Sequence, residues 1–433
     1  MTELLHETSS GGDACDPRSV ALVLVNNNGL GGAERRFAQA YEGLRRRGVP
    51  IELVINESLR DGLVRAGLLA EAHRPGLLLP EPFGRLTQLL PPSPGDGGPV
   101  RNQLIFFIRK LDYGLGSLLL GRWLRRRRPA AVHLVLGGAY LAWPWQTLGL
   151  APPAILSLVC PNLRELVGAS LGLWLYRRAI KKARLVDALT DSIGETARRE
   201  GAAPDRVRVS GGSLVDVARF QPAQAKRPWV VFAGRLIEEK NPLLFVQACA
   251  LVRAQLKDAI PGVRFFLLGD GPLREEVEAL IRRHGLDDCL EVGWREKVEP
   301  VLAQALVFVS LQRMDNYPSQ ALLEAMASGA AAVATEVGLT GKLVDETVGR
   351  LVQATPESVA DAVLGLLRGP ERAEAMGRRA RERVVRDHSL DAYLAYLSGL
   401  YGSVGPSSLK GASEDCPSGG SVREKPKACF SRS

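Results

Sequence analysis

Apolar residues along this chain fall in short runs separated by longer stretches of mixed polarity. Val20 to Asn26 (VALVLVN) is one continuous run, followed by the Gly-rich turn NNGLGG, a helical pattern from Ala33 to Arg47 and a second run from Ile51 to Ile55. Strands that are apolar at every position need cover on both faces, which crossover helices provide in a parallel sheet. The alternation restarts at Trp229: VVFAG, FFLLG, LEVG, LVFVS and AAVAT read as strands, with helices predicted over Pro242 to Leu256, Leu273 to His284 and Ser319 to Ser328. An α/β chain with two doubly wound sheets is expected, joined near the polar, Pro-bearing segment Phe220 to Pro228 (FQPAQAKRP). Ligands in such sheets bind at the carboxyl ends of strands, so the expected site is a cleft between the domains. The predicted layout is a flexible start at 1–17, an N-terminal domain at 18–222 and a C-terminal domain at 223–385. A helix at 386–404, the end of an amphipathic stretch running from about Glu371 to Tyr401, is placed to pack back on the first domain. The Ser-, Gly-, Lys- and Pro-rich tail at 405–433 has too little apolar surface to offset its ordering entropy.

Composition narrows the class. With 46% hydrophobic and 24% charged residues, the chain is neither a disordered protein nor a membrane bundle. Six cysteines, Cys15, Cys160, Cys249, Cys289, Cys416 and Cys429, are scattered without a CxxC pair or zinc-like spacing and read as reduced thiols. Met1 to Asp16 carries Glu3, Glu7, Asp13 and Asp16 and no apolar core, unlike a secretory signal, so a cytoplasmic protein is expected. Between Ala130 and Leu163 there is no charged side chain except those His can supply, yet Gly137, Gly138, Pro144, Pro152 and Pro153 cut the stretch into pieces too short to span a bilayer.

Four loops sit where strands end. The first, Asn28 to Arg35, offers Gly31 and Gly32 at the start of a helix, where backbone N–H groups can meet a phosphate; the bland alternative is a structural turn, and the spacing is not that of a dinucleotide fingerprint. The second, GRLIEEKN, carries Arg235 and Lys240, either converging on one anion or simply solvated. The third, Gly269 to Pro272, contains Asp270 and Gly271 in a tight turn that could be no more than a connection. The fourth runs from Asp315 through Asn316, Tyr317 and Ser319 to Glu324: Ser319 is placed to cap a helix, and Glu324, flanked by Leu322, Leu323 and Met326, needs either a buried ion-pair partner or paired hydroxyls such as those of a ribose.

In this order the loops resemble glycosyltransferase family 4, over roughly Val20 to Leu397, through GRLIEEKN, GDGP, NYPSQALLEAMASG and TEVG. The resemblance implies a GT-B fold, two Rossmann-like domains facing across a cleft, and a retaining transferase that takes a nucleotide-sugar donor. It implies that Arg235 and Lys240 hold the donor diphosphate, that Glu324 holds ribose, and that Asp315, Asn316 and Tyr317 face the transferred sugar, with base contacts near Gly293 and Trp294. Two departures stand out. The family's upstream residue is usually Glu with seven residues before the second Glu, whereas eight lie between Asp315 and Glu324, and Asp is one methylene shorter. Many members carry an HxH-like pair after the fourth N-domain strand, whereas here only His133 is present, either in the cleft or as a structural residue. No Asp-x-Asp occurs, so no metal and no cofactor is expected, and the leaving diphosphate would be met by Arg235, Lys240 and helix N-termini. Competing readings are a nucleotide-sugar epimerase, a non-catalytic nucleotide-sugar-binding protein and, least of all, an NAD oxidoreductase.

The net charge of +9 is densest at 101–128. In Gln103 to Arg128, apolar residues alternate with Arg109, Lys110 and the Arg125, Arg126, Arg127, Arg128 run, and Trp123 lies among them. Gly114 and Gly116 divide the stretch into two predicted amphipathic pieces suited to lying on an anionic membrane surface, where a lipid-linked or surface-glycan acceptor would be met. The alternative is a domain helix with a core face and solvated charges. No nucleic-acid reading module accompanies these residues, so nucleic acid is not an expected partner.

Overall fold

The computed structural model describes residues 18–26, 31–86, 99–160, 163, 170–211, 214–256 and 259–404, with 99–110 and 170–172 described by backbone alone. The N-terminal domain runs β1 (Val20–Val25), α1 (Gly32–Arg46), β2 (Ile51–Asn56), α2 (Glu57–Arg65), β3 (Leu77–Leu79), α3 (Pro82–Leu86), α4 (Pro99–Arg127), β4 (Ala131–Leu136), α5 (Gly138–Thr147), β5 (Ala154–Leu158), α6 (Ser170–Lys182), β6 (Leu185–Ala188), α7 (Asp191–Arg199) and β7 (Val207–Val209). Its strands form one parallel sheet in the order β3-β2-β1-β4-β5-β6-β7. The C-terminal domain runs β8 (Arg227–Ala233), α8 (Pro242–Leu256), β9 (Arg264–Leu268), α9 (Arg274–Arg283), β10 (Leu290–Gly293), α10 (Glu299–Gln304), β11 (Ala305–Ser310), α11 (Gln320–Ala327), β12 (Ala331–Thr335), β13 (Gly349–Val352), α12 (Pro356–Arg368) and α13 (Pro370–His388). Its sheet is also parallel, ordered β10-β9-β8-β11-β12-β13. A last helix, α14 (Leu390–Val404), follows.

Period-2 alternation explains why these strands are apolar at every position. Along β1, Ala21, Val23 and Val25 join one core and Val20, Leu22 and Leu24 another, so each face of the sheet has its own helical cover. In the second domain Val307 and Val309 of β11 face the core under α8 and α12, while Phe308 faces α11 and α13. Both sheets reverse strand order beside their first strand, between β1 and β4 and between β8 and β11, and crevices open at such points.

The chain crosses between domains twice. Val215 and Phe220 are buried in the second domain's core, so that domain starts before residue 223. On the return, the stretch predicted as one helix over 371–401 is split at Ser389, whose backbone is extended and whose Oγ accepts from Ala392 N at 3.1 Å to start α14. Val215 N donates to His388 O at 2.9 Å, placing the two crossings side by side. Beyond Ser389, α14 lies on the first domain, its Tyr393, Leu394, Leu397 and Tyr401 packed in the core with Phe37 and Tyr41 of α1.

Two expectations for the basic segment are corrected. Gly114 and Gly116 do not interrupt it: α4 is one continuous helix, and Gly116 lets Leu141 of α5 come close, 3.2 Å from where a Cβ would stand. Trp123 is not a surface anchor, because its ring is buried with Leu120 and Leu124 and its Nε1–H donates to Gly76 O at 2.9 Å. The side chains of Arg109 and Lys110 lie outside the described residues. Among the described residues no helix is long and apolar enough to cross a membrane.

Candidate functional site

The loops after β8, β9, β11 and β12 interlock at the carboxyl edge of the second sheet. Gly269 follows β9 with Gly234 O only 1.9 Å from where a Cβ would be, and Gly271, at φ 158°, has Leu236 O and N within 2.8 Å of that point. Any side chain at either position would push the GDGP turn off the GRL loop. Leu236 N donates to Asp270 O and Leu273 N to Leu236 O, both at 3.0 Å, so the two backbones are stitched together. These glycines fix one loop against another. Asp270 is exposed, its Oδ1 accepting from Gly271 N at 2.9 Å with Arg274 at 3.6 Å.

Within this scaffold two cations make no ion pair among the described residues. Arg235 is exposed and makes no ion pair or side-chain hydrogen bond among the described residues. Lys240 is half-buried; its Nζ donates to the neutral Gln312 Oε1 at 2.9 Å, and burial pushes its ammonium below the ordinary lysine range, with Glu239 opposing. Arg313 N donates to Glu239 O at 2.9 Å, so the loop after β11 is tied to the loop after β8. A partly desolvated ammonium and an unpaired guanidinium on one loop are an arrangement that an incoming diphosphate would stabilise. Gln312, the residue that aims Lys240, gave no signal in the sequence beyond following a strand.

The fourth loop is arranged around Asp315. One carboxylate oxygen, Oδ1, accepts from Tyr317 N and from Leu339 N, each at 3.2 Å, and so ties the β11 loop to the β12 loop. Tyr317 is half-buried, and burial raises its phenol pKa, with Lys342 opposing. Ser319 is the N-cap of α11, as expected, and its carbonyl accepts from Leu323 N at 3.0 Å, but its side chain makes no capping hydrogen bond. Glu324 forms no ion pair among the described residues. Its Oε1 accepts from Gln320 Nε2 at 3.0 Å, and burial raises its pKa, with Gln320 and Arg219 opposing and Glu299 adding. Trp294, beyond β10, stands 68% exposed, an indole face available for stacking.

Across the cleft the picture is more constrained. Gly31 N donates to Glu34 Oε2 at 2.9 Å, and the other oxygen of the buried Glu34 accepts from Asn26 Nδ2, so one N–H of the α1 start is already used; Gly32 is exposed. A small cavity at the ends of β1 to β3, of about 10 Å³, is bordered by Glu81 and Asp112. Both carboxylates are spent on helix starts: Glu81 on Ser58 N at 2.7 Å, Asp112 on Phe83 N and Gly84 N at 3.0 and 2.7 Å. The domains are also joined by a bond from Lys342 Nζ in the turn after β12 to Asp191 Oδ2 at the start of α7, at 2.6 Å.

His133 as a cleft residue is corrected. It sits in the middle of β4 with no solvent exposure, Nδ1 2.8 Å from Tyr401 OH and Nε2 2.7 Å from Ser157 Oγ. Ser157 donates to Asp187 Oδ2 at 2.6 Å, so its oxygen accepts from His133 Nε2–H and Tyr401 donates to Nδ1. Tyr396 OH completes the chain on Asp187 Oδ1 at 2.7 Å. His, Ser and Asp are connected, but all are buried beneath α14, so the set fastens that helix to the sheet and meets no substrate.

Comparison with known proteins places both halves. Residues 31–211 match the family model "Glycosyl transferase 4-like domain" and residues 227–369 match "Glycosyl transferases group 1". Similar proteins include the alpha-D-kanosaminyltransferase of Streptomyces kanamyceticus, 29% identical over 56% of this chain and 67% of that one. The putative colanic acid biosynthesis glycosyltransferase WcaL of Escherichia coli K12 is 28% identical over 52% of this chain and 58% of its own length. The chain thus aligns with about two thirds or less of these curated relatives. HepE of Anabaena, solved with UDP, superposes with a TM-score of 0.62 at 14% identity over 89% of this chain and all of HepE, and it has also been solved with UDP-glucose.

Proposed function

Because the chain belongs to the family-4 type of glycosyltransferases and has their GT-B architecture, we propose that it moves a sugar from a UDP- or GDP-sugar to a lipid-linked or surface-glycan acceptor, with retention and without metal. The observation that carries this reading is that one loop, after β8 at the strand-order reversal of the second sheet, holds both Arg235, which makes no ion pair among the described residues, and the partly desolvated Lys240. As the bond from sugar to diphosphate breaks, negative charge grows on the leaving oxygens. Arg235 can meet two of them with parallel N–H donors, and Lys240 supplies a point charge already aimed by Gln312. In this reading Arg235 and Lys240 supply the neutralisation that a divalent ion performs elsewhere.

Glu324 is suited to ribose hydroxyls: one oxygen is held by Gln320, and no cation competes for the carboxylate within ion-pair distance among the described residues. Trp294 is assigned to the base, Asp270 and Gly271 to the loop framing it, and Asn316, Tyr317 and Ser319 to the sugar end. Asp315 orders that end through Tyr317 N and Leu339 N and faces the transferred sugar with whatever acceptor capacity remains. HepE, seen with UDP and UDP-glucose, supports a nucleotide-sugar donor, and WcaL supports a surface-glycan acceptor. The basic α4 supports working at the cytoplasmic face of a membrane. Radiolabelled UDP- and GDP-sugars supplied with a cellular lipid extract test the reading. Label in the organic phase is expected, and label released only as free sugar with every donor would contradict it.

A further inference from the structure

At the edge of the first sheet opposite the cleft, where β4 and β5 begin, a groove of about 450 Å³ lies between the end of α4 and the turn from α5 to β5. Arg125 and Arg128 line it, with Leu124, Leu150 and Pro152. No acidic residue lines it, and neither arginine has an ion-pair partner among the described residues; Arg125 instead lies over the Trp145 ring, 5.8 Å from its centre. Arg127 behaves differently, turning to Glu52 at 3.8 Å. Arg128, the residue after α4, sits at φ 50°, a left-handed conformation unusual for a side chain of its size, and so ends the helix.

The rim is apolar. Leu150, which lines the groove with Arg125 and Arg128, is 50% exposed, and Leu148 in the same turn is 66% exposed. From the groove a stripe runs up α4 at helical spacing through Arg122 and Leu118, which is 65% exposed, to the exposed Leu111 toward the cleft edge. Guanidinium groups that can fork onto phosphate oxygens, set among exposed leucines, match a ligand that carries phosphate and hydrocarbon together.

We propose that this groove binds the phosphate head group of an anionic phospholipid, so that the α4 flank rests on the membrane with the cleft opening beside the surface. This rests on the membrane-acceptor reading above and names the contact that reading leaves open. The groove lies at the amino ends of the strands, so its ligand is not the sugar donor.

Flotation of the full chain with phosphatidylcholine vesicles, with and without phosphatidylglycerol, tests the assignment, using wild type, the double variant Arg125→Ser/Arg128→Ser, and Arg282→Ser/Arg283→Ser on α9 as an equal charge change in the other domain. Wild type and the α9 variant should float with the anionic vesicles only, and the groove variant should lose roughly 30-fold in vesicle affinity. Equal binding by all three, or equal loss in both variants, would overturn the site. A parallel arm adds glycerol 1-phosphate: failure to displace wild type from vesicles supports a lipid, whereas displacement at equal phosphate concentration would assign the groove to soluble phosphates and overturn the lipid. UDP-dependent thermal stabilisation is recorded on every sample. If it persists while no vesicle binding occurs, the groove assignment fails and the transferase reading stands.

Discussion

Lys240 and Arg235 illustrate how one charge can be prepared and another left waiting. Burial weakens the Lys240 ammonium, and Gln312 satisfies one of its donors without neutralising it, so an anion gains more there than at a solvated lysine. Replacing either residue by Ala should cost roughly 1.5–3 kcal/mol of transition-state stabilisation, about 10- to 150-fold in kcat/KM, with unchanged melting temperature of the free protein. Wild-type turnover in both variants would remove them from the donor site. Glu324 makes a pH-dependent case. Its raised pKa means that it protonates above the ordinary carboxylate range, so donor affinity should fall on acidification earlier than for an exposed carboxylate. The sign for folding is opposite: the ionised form is penalised in the native state, so acidification through that pKa stabilises the unliganded protein. A Glu324→Gln variant should bind donor weakly and lose this pH dependence, whereas a fall in stability with donor affinity intact would make Glu324 structural. These residues were legible because they lie within one continuous motif each. Gln312 was not, because its importance arises from a contact 72 positions away.

Among the elements, α4 and α14 separate pattern from packing. Continuous apolar strands and their following helices were legible from periodicity, but the glycines of α4 were misleading: a helix tolerates Gly where a neighbour must approach, and Leu141 does so at Gly116. His133 shows the same limit from the other side, since a polar residue in a run of strand positions is ambiguous until its partners are known. Its partners are Tyr401 and Ser157, 268 and 24 residues away. Burial depresses its pKa to about 3. A group whose folded pKa lies below its unfolded value contributes stability above the unfolded pKa of 6.5, lost progressively as pH falls toward 3. The full span is worth on the order of 5 kcal/mol. Buried Asp187 is shifted upward, which acts in the opposite sense, so the comparison must isolate the imidazole. The stability advantage of wild type over His133→Gln should therefore shrink between pH 6.5 and 3, as followed by urea unfolding. A constant difference across that range would mean that His133 is not held neutral.

For the whole molecule, two chain crossings and the Lys342–Asp191 bond set how the domains face each other. That pair joins residues 151 positions apart, and both side chains are about half exposed, so neither residue stood out in the sequence and the bond itself contributes only about 0–1 kcal/mol. Its position matters more than its strength, since it lies beside Tyr317 and spans the domains. Lys342→Glu should place two carboxylates against each other and widen the cleft. Small-angle scattering should show a larger radius of gyration than wild type at low salt and none of that difference at about 1 M salt, where screening acts over roughly 3 Å. Identical scattering at low salt would mean that the pair does not hold the domains. The central claim, that the carboxyl edge of the second sheet holds a nucleotide diphosphate through Arg235 and Lys240, is tested most directly by thermal-shift titration with UDP and GDP in the presence of EDTA. One nucleotide at about 100 times its dissociation constant should stabilise wild type by about 2.7 kcal/mol and leave the Arg235→Ala/Lys240→Ala double variant nearly unshifted. Equal stabilisation of the double variant, or none of wild type by either nucleotide, would contradict it.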